Sequence, residues 1–160
     1  MKKRLTVAIL MLVVLALALI AAKRWWPRHT SSQWNEHCTA EMQMQFDTPA
    51  GKAGMNGDIT ITTLDNTTIS FYFNGLITQN EQSWAVNRTH MFTYRYFADN
   101  QTLELRHRSM SKSLSDTIPD EQFYKMMIRS DVLILRVKPL SDHAMLYSGL
   151  STPLYICMRR

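Results

Sequence analysis

The chain has 160 residues, 46% of them hydrophobic and 19% charged, which suits one globular domain and excludes disorder or a long coiled coil. Its formal net charge is +5, yet residues 1–28 carry six basic groups and no acid, while the rest carries 12 basic and 13 acidic groups. The excess flanks one apolar run, which excludes a basic domain that binds nucleic acid electrostatically.

That run, Leu5–Ala22, is broken only by Thr6. As a helix it would span roughly 27 Å, close to the hydrocarbon thickness of a bilayer. Lys2–Arg4 precede it, and Lys23, Arg24, Trp25 and Trp26 come after it as basic and aromatic interface anchors before Pro27 ends the helix. A cleaved signal peptide is the competing reading. Its Ala16-Leu17-Ala18 site would fall inside the apolar run, and Lys23-Arg24 directly beyond the run opposes export. The expectation is therefore an uncleaved single-pass anchor. Positive charges on the two flanks are nearly tied, so the orientation, amino end cytoplasmic, rests mainly on the exported character of the domain beyond the anchor. The expected organisation is a cytoplasmic tail 1–4, a transmembrane helix 5–22, a juxtamembrane linker 23–36 and a periplasmic β-rich domain 37–160, in a bacterial inner membrane.

Beyond the linker the apolar period becomes two. Cys38, Ala40, Met42, Met44 and Phe46 alternate with polar residues, as in a half-buried strand. Residues 48–58 hold three of the five glycines and read as a loop. A strand through Ile59 and Ile61 comes next, then Asp65-Asn66 as a turn, then Thr67–Thr78 with Ile69, Phe71 and Phe73 on one face. Trp84–Phe97 and Thr102–Met110 flank a polar hairpin loop. Pairing Tyr96 with Leu103 sets Tyr94 against Leu105 and Phe92 against His107 on one face, and Arg95 against Glu104 on the other. A helix is expected at Thr117–Arg129, capped by Thr117, with Asp120 and Glu121 in its first turn and Phe123, Met126 and Met127 as its apolar stripe. Strands resume at Val132–Lys138, Ala144–Ser148 and Pro153–Arg159. The fold expected is mainly β: an antiparallel, lipocalin-like curled sheet or barrel of about eight strands with one helix.

Catalytic signals are sparse. His29, His37, His90, His107 and His143 lack metal-ligand spacing, and His90 and His107 share a hairpin face without being directly opposed. Ser148-Gly149 is not a nucleophile elbow, and no glycine-rich phosphate loop occurs. His37 and Cys38 point to opposite faces of a strand, so they form no thiolate–imidazole pair. The sequons at Asn66, Asn87 and Asn100 read as coincidental, since two of them sit in turns that favour asparagine. No enzyme, cofactor or metal is expected. Cys38 and Cys157 could be two buried thiols, but an even count in an exported domain favours a disulfide joining its first and last strands.

The short basic tail, single anchor, β-rich domain and Pro153-Leu154-Tyr155-Ile156-Cys157 ending resemble the FidL-like membrane proteins of enteric bacteria. That resemblance implies a ToxS-like accessory partner of a membrane-anchored winged-helix transcriptional regulator, binding the regulator's periplasmic domain and stabilising or tuning it, with no direct contact to nucleic acid. The alternative is a periplasmic sensor that binds a small apolar ligand, a bile salt or lipid, in a barrel lumen. Phe71, Phe73, Phe92, Tyr94 and Tyr96 would line that lumen, although such residues more often form plain core.

Overall fold

The computed structural model describes residues 34–48, 51–128 and 130–159. The expected tail 1–4, transmembrane helix 5–22 and interface anchors Lys23, Arg24, Trp25 and Trp26 lie outside the described residues, as does Arg129. Among the described residues no helix is long and apolar enough to cross a membrane.

Eight antiparallel strands succeed one another around a closed barrel. They are β1 (His37–Thr48), β2 (Gly51–Thr63), β3 (Thr68–Gln79), β4 (Gln82–Phe97), β5 (Thr102–Lys112), β6 (Val132–Ser141), β7 (Ala144–Ser148) and β8 (Pro153–Arg159). One helix, α1 (Asp120–Met127), lies between β5 and β6. Alternation decides which side chains enter the core. Cys38, Ala40 and Met42 of β1 are buried, as are Ile69, Phe71, Phe73 and Ile77 of β3 and Leu103 and Leu105 of β5. Each strand pairs with its neighbour in sequence, so every inward row meets an inward row and the apolar faces merge in one lumen.

The β4–β5 ladder has the expected register: Tyr96 with Leu103, Arg95 with Glu104, Tyr94 with Leu105 and Phe92 with His107. A bulge then intervenes, and the ladder resumes with Met91 opposite Ser109 and His90 opposite Met110. One extra residue on β5 shifts the inward row beyond His107.

Residues 51–58 correct the loop expectation, because they are the first half of β2. Their glycines serve close approach rather than a turn. Gly57 pairs directly with Gly75 of β3. A Cβ at Gly57 would collide with the Asn74 carbonyl oxygen, and one at Gly75 would collide with that of Asn56. The two strands can pass this closely only where both lack side chains.

The helix is shorter than expected and is capped differently. Thr117 lies outside it, and its hydroxyl accepts the Ala85 amide N–H at 2.8 Å, tying the helix approach to β4. Pro119 occupies the cap position without a side-chain hydrogen bond, and Asp120 and Glu121 form the first turn. Proline suits this place because the first-turn N–H groups have no partner within the helix. Phe123 and Met126 are the buried face.

Barrel closure is concentrated at one corner. Among the described residues β1 and β8 share two residue pairs, Cys38 with Arg159 and Thr39 with Met158. There the Cys38–Cys157 disulfide bridges the strands, with Cα atoms 5.4 Å apart. Beside it the Arg159 guanidinium donates to both Glu36 carboxylate oxygens at 2.8 Å. Trp34 and Glu36, expected in the linker, are buried against this corner and its surroundings.

Candidate binding cavity

Among the described residues β1 and β8 pair at their closed corner and share no ladder farther along β1, where an apolar cavity of about 270 Å³ is found in the lumen. Its deeper wall is formed by Met42, Ile59, Phe71, Phe73 and Phe92, all buried. Half-buried Met44, Phe46, Met127 and Leu133 add to the lining, and Leu154 of β8 is the exposed contributor. The last turn of α1 and the residue after it contribute Met126, Met127 and Ile128. Every lining side chain is apolar except that of Tyr155, which carries a hydroxyl on a largely apolar ring. Four methionines line the space, and their unbranched, polarisable side chains adapt to irregular apolar shapes.

Three of the five aromatic residues expected in a lumen lie in this wall: Phe71, Phe73 and Phe92. Phe71 and Phe92 pack at 5.2 Å between ring centroids. Tyr94 and Tyr96 are inward on the same strand but are not in the cavity lining. The Tyr94 hydroxyl donates to the Trp34 carbonyl at 2.9 Å, and burial raises its pKa. Tyr96 packs on the Trp34 ring at 4.5 Å.

Continuing the inward row of β4 past Phe92 reaches His90 and Arg88, both buried. Sequence reasoning passes over Arg88, although its even position among Tyr96, Tyr94, Phe92 and His90 is the signal that could find it. Asp116, between β5 and α1, answers it. The Arg88 Nε donates to Asp116 Oδ2 at 2.7 Å, and its Nη2 donates to Asp116 Oδ1 and to the Ile118 carbonyl. Burial works against the Asp116 carboxylate, but the guanidinium fork and the Asn87 amide hold its pKa below the usual range. The guanidinium also lies 4.4 Å above the centre of the Phe123 ring.

His90 Nδ1 lies 3.2 Å from His107 Nε2, and the Tyr124 hydroxyl approaches the same His107 nitrogen at 3.4 Å. The register sets His90 diagonally from His107 on the inward face, and the docking of α1 adds Tyr124. His90 is sandwiched by aromatic rings: Phe123 stacks on it at 5.3 Å, and the cavity-wall residue Phe73 meets it edge-on at 5.8 Å. Burial, with the charges of His107 and Arg88, pushes the His90 pKa down to about 4. One imidazole donates to the other across this contact, the donor being set by the tautomers of the two rings. Among the described residues, no group of three or more His, Cys, Asp or Glu side chains is placed to hold a metal ion.

No curated protein matches this chain. The sequence pattern of the family described as FidL-like putative membrane protein matches residues 75–157, more than half of the chain. The match runs from the Gly75 crossing through Arg88, His90 and α1 to the bridged Cys157. The chain therefore belongs to the FidL-like family.

Proposed function

We propose that the barrel is the binding domain of a membrane-tethered periplasmic protein, and that its lumen takes the apolar chain of a small amphiphile. The observation that carries this reading is the 270 Å³ cavity with its apolar lining. Pockets for drug-sized ligands run from about 300 to 1,000 Å³, so the volume favours one flexible acyl chain over a rigid four-ring bile salt. No charged group lines the cavity, so a polar head would remain at the surface. Lipid analysis of the purified full-length chain tests the proposal. A single-chain amphiphile should co-purify with the native protein and be depleted in Met127→Trp, which fills the lumen. Equal recovery from both proteins would contradict the reading.

A second reading is favoured by the two-residue seam. Beyond Thr39, β1 has no ladder partner on its β8 side among the described residues, and such an edge accepts an added strand. On this reading the barrel is an accessory that binds and stabilises or tunes a membrane-anchored transcriptional regulator. Loss of the gene should then lower the level of that regulator. An unchanged regulator level and transcriptome would exclude it.

Both readings place the amino end in the cytoplasm and the barrel in the periplasm. Alkaline phosphatase fused after Arg160 should be active, and green fluorescent protein fused there should be dark. The reverse pattern would overturn the topology.

A further inference from the structure

The outer face of β6, β7 and β8 is apolar in a way the other walls are not. Six of the large exposed apolar residues fall between Val132 and Arg159: Ile134, Leu140, Leu150, Leu154, Ile156 and Met158. Leu154, Ile156 and Met158 alternate along the exposed row of β8, and half-buried Leu146 of β7 stands opposite Ile156. On β6, Arg136 and Lys138 project outward between Ile134 and Leu140, with Lys138 opposite Leu146. Neither cation forms an ion pair among the described residues.

We propose that this face seats on an anionic lipid bilayer, with its apolar centre in the headgroup layer and Arg136 and Lys138 against lipid phosphates. Contiguous apolar surface beside unpaired cations is the pattern that interfacial binding requires, since apolar burial and attraction to anionic lipid act together. The tether supplies the second argument. Only twelve residue steps separate Ala22, the end of the apolar run, from Trp34, and at full extension these reach about 40 Å. If residues 5–22 span the membrane, the barrel cannot leave its surface. The inference rests on that reading of the anchor. Leu154 belongs both to this face and to the cavity lining, so the seated face would set the lumen beside the lipid.

Site-specific photocrosslinking of the full chain in lipid nanodiscs tests the proposal. A genetically encoded benzoylphenylalanine at position 156 leaves the disulfide untouched. The same group at position 76 is the control, because Leu76 is similarly exposed on β3, three strands away from β8 around the barrel. In discs containing phosphatidylglycerol, position 156 should form lipid adducts and position 76 should not. The Arg136→Glu, Lys138→Glu pair should lower the adduct yield at 156 by about fivefold or more without changing the melting temperature. Recovery in discs with equal yields at both positions, or crosslinking of 156 to a second protein copy, would overturn the seated face while leaving the anchor reading intact. Failure of the chain to enter discs would overturn both.

Discussion

His90 and His107 meet across β4 and β5 with their ring nitrogens 3.2 Å apart, although they are not paired in the ladder. His107 stands opposite Phe92, two residues along β4 from His90 on the same inward face, and α1 covers the contact by stacking Phe123 on His90. Phe73 and Phe92 touch His90 on one side and the cavity on the other. The histidine pair is thus part of the structure that supports the lumen wall.

Acid should weaken the barrel through His90. Its folded pKa, about 4, lies below the ordinary 6.5, so between these values the unfolded chain binds the proton and the folded one does not. Stability from this group is complete above about pH 6.5 and is lost as pH falls toward 4, by up to about 3 kcal/mol. Urea unfolding at pH 7 and pH 4.5 measures the loss. His90→Leu should flatten this part of the pH dependence; an unchanged slope would remove His90 as its source.

Arg88 and Asp116 should be far more costly to separate than to replace together. Arg88→Met leaves a buried carboxylate without its partner and should cost about 3–5 kcal/mol. Arg88→Met with Asp116→Leu should recover much of that loss, because two desolvated charges disappear together. A double-mutant cycle from denaturant midpoints gives the coupling. Additive losses would show that the two groups act independently.

The barrel is more legible in the sequence than its contents are. Period-two alternation locates the strands, and the match of Arg95 to Glu104 with Tyr94 to Leu105 identifies one register among the alternatives. Residues 51–58 read as a loop because glycine is ambiguous in sequence: it marks turns, and it also marks strands that pass too closely for any Cβ. Thr117 is a reasonable helix cap by residue type, but its hydroxyl is taken by the Ala85 amide and the helix starts at Asp120. The cavity lining is legible in Phe71, Phe73 and Phe92. The contribution of Met126, Met127 and Ile128 depends on how α1 docks, which no local pattern encodes. His90 and His107 share a face by register as diagonal neighbours, but the approach of Tyr124 to them depends on the same docking of α1.

Gly57→Ala should be disproportionately harmful for a single methyl group. The new Cβ meets backbone rather than a movable side chain, so β2 and β3 must separate, at a cost of about 1–3 kcal/mol. Gly54→Ala is the internal comparison, since its nearest neighbours lie at 3.5 Å or beyond. Thermal melts of the two variants should differ clearly; equal melting temperatures would contradict the close crossing.

The Cys38–Cys157 bridge closes a loop with a sequence separation of 119 residues. Constraining a loop of that length stabilises by up to roughly 4–5 kcal/mol in the entropic account. Cys38→Ser with Cys157→Ser should lower the urea midpoint accordingly. In cells, rapid maleimide trapping should label neither cysteine without prior reduction; labelling of both would contradict a bridge in the living cell.

The central claim is that the lumen holds an apolar chain, and photolabelling with a diazirine-bearing medium-chain fatty acid tests it most directly. After irradiation of membranes containing the full-length chain, peptide mass spectrometry locates each adduct. The account predicts adducts on Met42, Met126 or Met127 and their cavity neighbours, competed by unlabelled fatty acid and abolished by Met127→Trp. Adducts confined to the outer strand faces, or lumen labelling indifferent to both competitor and Met127→Trp, would contradict it.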